Sequence, residues 1–156
     1  MSSIDPFVDF GEPHLVVEGL RLWVHGWERE EVEEFDDANW LRVAAHCSAN
    51  GARVWTDGSI LQTTDIERFG EQCSLVLSGE SDQASLTPLE SNLRVEISRT
   101  DRAGHLIARV ALTADPLLQM HSIEFEIDQS YLPGIITGCD STLRSFPVRG
   151  MRPRNA

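Results

Sequence analysis

The stretch that decides the fold is WLRVAAHCSANGARVWT, residues 40–56. Apolar residues occupy every second position of its first half, namely Leu41, Val43, Ala45, Cys47 and Ala49. Alternation of this period is typical of a half-buried β-strand. Asn50-Gly51 follows directly, and Asn-Gly favours a two-residue hairpin turn because both turn positions need a positive φ. Residues 53–56 are therefore predicted to return antiparallel to the first strand.

The alternation continues on both sides of this hairpin. Residues 20–27 are predicted to form a strand with large side chains on both faces: Leu22 and Val24 on one, Trp23, His25 and Trp27 on the other. Downstream, Asp57-Gly58 interrupts the returning strand before Ile60. This pair marks either another tight turn or a bulge within one longer strand.

The second half of the chain repeats the pattern. Alternating apolar residues over 93–97 and 106–112, separated by a loop at 101–104, predict a hairpin. Residues 123–128 then alternate apolar residues with Glu124, Glu126 and Asp128, and Arg94 and Arg109 are placed to lie across from these carboxylates. Alternating charge is typical of a solvated sheet face, so Glu124 and Glu126 are interpreted as structural rather than as general acids or bases.

Two amphipathic helices are predicted. Thr64-x-x-Glu67 matches a capping box, and the helix is expected over residues 64–78 with one apolar stripe: Ile66, Phe69, Cys73 and Val76. The second helix is expected over residues 130–146, with Pro133 near its first turn. Its apolar stripe is formed by Leu132, Ile135, Cys139, Leu143 and Phe146.

About eight short antiparallel strands and two amphipathic helices predict an α+β, β-rich fold. We expect a curved antiparallel sheet, arranged as a sandwich or a partly open barrel, with both helices packed on it. The chain has 156 residues, 41% of them hydrophobic, and no linker divides it. It is therefore predicted to form a single domain over residues 1–156, with loose ends at 1–13 and 149–156.

The sequence carries no recognisable catalytic or metal centre. A Gly-x-Ser-x-Gly turn and a glycine-rich phosphate loop are absent, and the five histidines are scattered. Cys47, Cys73 and Cys139 lack the short spacings of a zinc site and are interpreted as reduced, buried side chains. The prediction is a protein without enzymatic activity, cofactor or metal.

Charge and hydropathy restrict the partners and the location. Thirteen basic and 25 acidic residues give a formal charge of −12, which repels phosphate backbones and anionic lipids. Direct binding to nucleic acid or to membranes is therefore not expected. The first twenty residues contain no Lys or Arg and no signal-peptide core, and no apolar run is long enough to span a bilayer. A cytoplasmic location is predicted.

The most unusual local feature is a segment of ten residues with seven carboxylates, called here the acidic loop, residues 28–37. Its acidic members are Glu28, Glu30, Glu31, Glu33, Glu34, Asp36 and Asp37. Like charges at this density repel one another and must stay in solvent. The loop is either a solubilising segment or a docking surface for a basic protein, with the flanking Trp27 and Trp40 as interface residues.

Several motifs resemble those of the WapI-type immunity proteins, which accompany contact-dependent toxins of bacteria. The resemblance extends over about residues 15–150 and rests chiefly on DANWL, residues 37–41, and FEIDQSYLP, residues 125–133. These motifs are interpreted as structural: Asp37 or Asn39 closes a turn, and Asp128 or Ser130 caps the last helix. The resemblance implies a cytoplasmic, non-enzymatic protein that binds and blocks a toxin domain with RNA-cleaving activity.

Two other functions stay open at this stage. A small-ligand-binding or enzymatic β-domain would need a sizeable cavity with convergent polar groups. A structural homodimer joined through sheet edges is the third possibility. For the immunity function, the predicted partner is a basic toxin domain that docks on the acidic loop.

Overall fold

A computed structural model describes residues 10–150 as two open antiparallel sheets with helices packed against them. The strands are β1 (Leu15–Val17), β2 (Leu20–Trp27), β3 (Trp40–Ala49), β4 (Ala52–Gln62), β5 (Gln83–Leu86), β6 (Leu93–Arg99), β7 (His105–Leu112) and β8 (Ser122–Asp128). The helices are α1 (Phe35–Ala38), α2 (Thr63–Leu77) and α3 (Leu132–Ser145), the last preceded by a 3-10 turn (Gln129–Tyr131). None of these helices is long and apolar enough to cross a membrane.

Each sheet contains four strands in chain order. The first sheet is β1-β2-β3-β4 and the second is β5-β6-β7-β8, with every neighbouring pair antiparallel. One apolar core takes buried side chains from both sheets, from α2 and from α3. The predicted α+β, β-rich fold is confirmed, and neither sheet closes into a barrel.

The hairpin turn of the first sheet lies where it was predicted, but only Gly51 has a positive φ, whereas a positive φ was expected at Asn50 as well. Asn50-Gly51 joins β3 to β4, and Gly51 has a φ of +80°. Of the two possibilities for Asp57-Gly58, the structure has the bulge. Leu41 pairs with Leu61 but Val43 pairs with Gly58, so β4 contains one extra residue here.

A second bulge, in β2, corrects the predicted strand faces. Val24 pairs with Val43 and Gly26 with Arg42, so His25 is an extra residue. An extra residue inverts the alternation beyond it. Trp27 therefore packs against the main core, whereas Trp23 lies on the opposite face with Ala44. The prediction that Trp27 shares a face with Trp23 was wrong, because alternation alone does not reveal a bulge.

Both predicted helices are confirmed to within a few residues. Their stripes are buried or half-buried against the core. The capping box of α2, however, uses Gln62 and Asp65 rather than Thr64 and Glu67. The helix begins earlier because Thr63, the residue after the cap, is fully buried and bonded to Asn39. Before α3, the Asp128 carboxylate accepts the Ser130 N–H at 2.8 Å, as a cap should.

The second sheet has the predicted hairpin between β6 and β7. Arg109 bonds Glu124 on β8 at 2.6 Å, as expected for cross-strand partners. Arg94 instead pairs with Glu96 of its own strand at 2.9 Å, because Arg94 faces Ala111 across the sheet. Exposed pairs of this kind contribute little stability.

The three cysteines are free and buried, as predicted. Burial raises the pKa of the Cys47 thiol to about 11 and that of Cys73 and Cys139 to about 12. Thiols with such pKa values stay protonated at neutral pH. These side chains therefore act as small apolar groups in the core.

Candidate partner-binding surface

The acidic loop joins β2 to β3, and a backbone hydrogen bond holds its two ends together. The Glu28 N–H donates to the Trp40 carbonyl at 2.9 Å, which closes the loop where the two strands separate. All seven carboxylate side chains of the loop are exposed. Phe35 is half-buried, and Ala38, which ends α1 just beyond the loop, is buried. The carboxylates of the segment thus face solvent. Phe35 and Ala38 attach it to the rest of the fold.

A buried asparagine holds the end of this segment. Asn39 is 1% exposed, and its amide nitrogen donates to the carbonyls of Phe35 and Arg149, each at 2.9 Å. Its amide oxygen accepts the Thr63 hydroxyl at 2.8 Å and the Arg149 N–H at 2.9 Å. These four bonds use the whole hydrogen-bonding capacity of the side chain. Of the two residues predicted to close a turn before this strand, Asp37 and Asn39, it is Asn39 that bonds back to the Phe35 carbonyl.

Arg149 ties the C-terminal segment to the acidic loop. Its guanidinium donates to the Ala38 carbonyl at 2.6 Å, to the Glu30 carbonyl at 2.7 Å and also to the Arg29 carbonyl. The same group lies 3.8 Å from the ring centroid of Trp27. Arg149 was predicted to begin a loose end, but it is anchored. In the predicted N-terminal loose end, residues 1–13, the Gly11 carbonyl accepts the Trp23 indole N–H at 3.0 Å. Residues 1–9 and 151–156 lie outside the described residues.

The tryptophans at the two ends of the loop lie on opposite faces of the first sheet. Trp27 is half-buried, covered by Arg149 on its ring face and in edge contact with Phe146 at 5.7 Å. Trp40 is also half-buried and, by alternation along β3, lies opposite the buried Leu41. They bracket the loop but do not form one continuous aromatic patch.

A groove of about 540 Å³ lies beside the acidic loop, between α1, the first turns of α2 and the segment after β5. We call it the acidic groove. It is lined by Asp36, Asp65, Glu67 and Glu71 with one basic residue, Arg68, and with Phe35 and Leu89 among its apolar walls. It was not predicted from the sequence, because its walls come from three separate segments whose outermost residues, Phe35 and Leu89, are more than fifty residues apart in the chain.

Asp65 is the buried carboxylate of this groove. Burial raises its pKa, and the opposing influences are the N–H of Gln62, which donates to Asp65 at 2.9 Å, and the charge of Arg68 at 3.9 Å. Its role is therefore to cap α2. Of the other carboxylates of the groove, Asp36 and Glu71 are exposed, and Glu67 is half-buried.

Within residues 10–150 no group of three or more His, Cys, Asp or Glu side chains could hold a metal ion. The shortest histidine contact joins His105 Nδ1 to Asp101 at 2.6 Å, in the exposed loop between β6 and β7. The nearby Ser130 hydroxyl bonds Asp128 instead. This arrangement lacks the nucleophile contact that acyl transfer would require.

Comparison with known families identifies a match over most of the chain. Residues 16–147 match the model of the immunity protein WapI-like family. The chain belongs to this family. The matched region closely reproduces the extent of the resemblance predicted from the motifs. No curated protein and no solved structure matches the chain.

The family match includes the acidic loop, Asn39 and every wall of the acidic groove of this WapI-like chain. Arg149 lies two residues beyond it. Sequence reasoning missed Arg149, since no local signal connects it to residues 110 or more positions earlier. An arginine two residues after a proline reads as part of a tail until its partners are known.

Proposed function

We propose that this WapI-like chain is a cytoplasmic immunity protein that binds and blocks a basic toxin domain and has no catalytic activity of its own. The observation that carries the proposal is the acidic loop: seven exposed carboxylates on a segment whose backbone is held by Arg149 and Asn39. A loop that served only solubility would not require its backbone to be held by these hydrogen bonds.

Anchoring matters because binding must offset the ordering of flexible groups. A loop that is already held in shape loses less conformational entropy when a partner docks. Its carboxylates also give a fixed negative field, which accelerates encounter with a cationic protein and disfavours wrong partners. These two effects support a docking surface over a merely solvated segment.

The class of toxin follows from charge and from the family. A domain that cleaves RNA binds a polyanion and therefore has a basic active-site surface. A row of fixed carboxylates competes with RNA phosphates for that surface. We therefore assign an RNA-cleaving toxin domain as the partner, with the chain covering its substrate site.

Trp27 and Trp40 belong to the proposal as the flanks of the loop. Trp27 acts through its cation–π contact with Arg149, whose guanidinium lies over the Trp27 ring. Trp40 supplies the carbonyl that closes the base of the loop, and its half-exposed ring lies beside that base. In this arrangement the carboxylates meet the partner first, and the tryptophans keep the loop in place.

The test uses the toxin domain encoded beside the gene for this chain. Purified chain should inhibit RNA cleavage by that domain at a 1:1 ratio, and surface-plasmon kinetics should show association that slows as salt rises. Co-expression should restore growth of cells that make the toxin domain. Absence of binding by the wild-type chain would overturn the proposal for that toxin, and binding without inhibition of RNA cleavage would overturn the assigned activity.

A further inference from the structure

The most exposed apolar side chains of residues 10–150 lie in two loops at one end of the second sheet. Within residues 10–150, four large apolar side chains are more than 80% exposed: Leu89 at 82%, Leu117 at 94%, Leu118 at 84% and Met120 at 92%. The first lies in the loop between β5 and β6, and the other three lie in the loop between β7 and β8. We call these four residues the apolar tip.

The two loops of the apolar tip are connected at their bases. The Asn92 side chain donates to the carbonyls of Thr113 at 3.0 Å and Ala114 at 3.3 Å, and the Thr113 N–H donates to the Asn92 carbonyl at 2.9 Å. Because antiparallel strands place alternate loops at the same end of a sheet, both loops project in the same direction. The tip is thus one feature of the surface.

The longer loop is ordered by its own turn rather than by apolar packing. The Leu117 N–H donates to the Asp115 carboxylate at 3.1 Å, and the N–H groups of Leu118 and Gln119 donate to the Asp115 carbonyl. A turn that holds leucines in solvent exposes them in a defined geometry. Neighbouring apolar side chains that stay exposed on an ordered loop are typical of interaction sites.

The apolar tip is continuous with the acidic groove. Leu89 lines the groove together with Asp36 of the acidic loop, so one surface extends from the loop across the groove to the tip. The two loops of the tip contain Glu90 and Asp115 and no arginine or lysine. The whole surface therefore combines carboxylates with a protruding apolar end.

We infer that the apolar tip is the affinity anchor of the same interface, which inserts into an apolar pocket of the basic toxin domain while the acidic loop and acidic groove face its cationic surface. This inference rests on the proposed function. Charge supplies the encounter rate, and desolvation of the leucines and the methionine supplies the slow dissociation.

Charge complementarity selects this occupant over two others. An anionic membrane would be repelled by the carboxylates around the tip. A second copy of this chain, docked symmetrically, would place the same acidic surface against itself. A cationic protein surface meets no such penalty. Both other occupants remain measurable outcomes below.

The first experiment compares two variants by surface-plasmon kinetics against the toxin domain encoded beside this gene. Leu117→Ser/Leu118→Ser/Met120→Ser should raise the Kd about thirtyfold or more, mainly through the dissociation rate. The control, Leu75→Ser/Leu77→Ser, removes two partly exposed leucines from the last turn of α2, away from the apolar tip, and should bind like the wild type. Circular dichroism should show that all three proteins are folded.

The outcomes separate the two claims. If the triple variant binds the toxin domain as tightly as the wild type does, the apolar tip is not part of the interface. The proposed function would then still stand. Failure of the wild type to bind overturns the proposed function for that toxin, and the inference falls with it. A wild-type dimer in sedimentation velocity that the triple variant dissolves assigns the tip to a second copy and overturns the inference. So does co-sedimentation of the wild type with phosphatidylglycerol vesicles.

A second measurement does not depend on losing affinity. A photoreactive phenylalanine analogue at position 118 should crosslink to the toxin domain, whereas the same analogue at position 77 should not. Both positions are exposed on the free chain. Equal crosslinking from the two positions, or none from position 118 under conditions where binding is saturated, contradicts the inference.

Discussion

At the scale of single residues, Asn39 decides how the candidate surface is held. Its amide joins three separate parts of the chain: the start of α1 through Phe35, the start of α2 through Thr63, and the C-terminal segment through Arg149. All four bonds are made in a site that is nearly closed to solvent. A buried polar group is stabilising only while its partners are present, so the whole arrangement depends on one side chain.

Replacing Asn39 by Ala should lower the free energy of unfolding by about 2–3 kcal/mol, because the Thr63 hydroxyl and the Arg149 N–H would lose their acceptor in a buried site. Urea denaturation followed by circular dichroism measures this change. The control is Asp37→Asn, in the exposed turn nearby, which should stay within about 0.5 kcal/mol of the wild type. A loss below about 1 kcal/mol for Asn39→Ala would show that water replaces the lost bonds.

The His105 and Asp101 pair predicts a pH effect. The hydrogen bond and charge of Asp101 raise the pKa of His105 above 6.5, and the bond from His105 lowers the pKa of Asp101 below 3.8. The contribution of a histidine with a raised pKa is complete below its unfolded pKa and is lost as pH rises through its folded pKa. The contribution of the aspartate is lost only as pH falls through its own lowered pKa. The pair therefore stabilises the fold most between these two ordinary values.

Asp101→Asn should return the pKa of His105 toward its ordinary value, because the amide keeps the turn bonds to Ala103 but carries no charge. An NMR titration of the His105 ring protons measures the shift. The stability difference from the wild type should be larger near about pH 5.5 than near about pH 8.5. In a His105→Gln background, Asp101→Asn should show no such pH dependence, and an unchanged His105 titration in the single variant would contradict the assignment.

At the scale of elements, the extra residue of a bulge and the hydrogen bonds of one distant side chain determine where side chains lie. The bulge at His25 turns Trp27 toward the core, where its ring supports the Arg149 guanidinium. Arg149 then bonds three carbonyls from the two ends of the loop segment. The charge pattern of the loop belongs to its sequence, but its shape depends on a strand irregularity and on a residue near the other end of the chain.

Arg149→Ala should loosen the acidic loop without unfolding the sheets. Hydrogen exchange followed by mass spectrometry should show faster exchange of the amides in residues 29–38, with a loss of about 2 kcal/mol in overall stability. Arg149→Lys should give an intermediate effect, since an ammonium cannot reproduce the planar fork of the guanidinium. The exposed Arg144 serves as the control, and Arg144→Ala should leave exchange in the loop unchanged. Equal exchange of these amides in the wild type and in Arg149→Ala would show that Arg149 does not hold the acidic loop.

At the scale of the whole molecule, the formal charge of −12 acts on encounter rather than on folding. The acidic loop concentrates this charge at one end of the first sheet, and the acidic groove extends it toward the segment after β5. Long-range attraction brings a basic partner to this side. Contacts of short range then decide how long the partner stays.

Changing Glu30, Glu31, Glu33 and Glu34 to Gln should slow association with the toxin domain and flatten its dependence on salt. The melting temperature should stay nearly unchanged, because these exposed side chains have no ion pair among the described residues. Surface-plasmon kinetics at two salt concentrations and thermal unfolding measure both effects.

The control changes the same number of carboxylates elsewhere on the exposed surface, with Glu12→Gln, Glu80→Gln, Glu126→Gln and Asp140→Asn. It alters the total charge equally, so it should slow association less than the loop variant does. Equal effects of the two variants would mean that only the net charge matters. Unchanged association of the loop variant would remove the acidic loop from the interface.

Much of the fold was predictable because its signals are local. The alternation around Leu41, the Asn50-Gly51 turn and the stripe beginning at Ile66 each depend on residues within a few positions of one another. The motifs that predicted the WapI-like family are likewise continuous segments. The charge of the acidic loop and the burial of the three cysteines also follow directly from residue types and spacing.

The sequence by itself thus determined the strands, the helices, the family and the place where charge is concentrated. Only the tertiary structure decided the side on which Trp27 lies, the tie from Arg149, the acidic groove and the exposure of Leu117 and its neighbours. The physical reason is the separation in sequence between the residues that interact. Periodicity records how a residue relates to its neighbours in the chain, whereas a bulge, a buried amide joining three segments or a groove between distant elements depends on which backbones pack together.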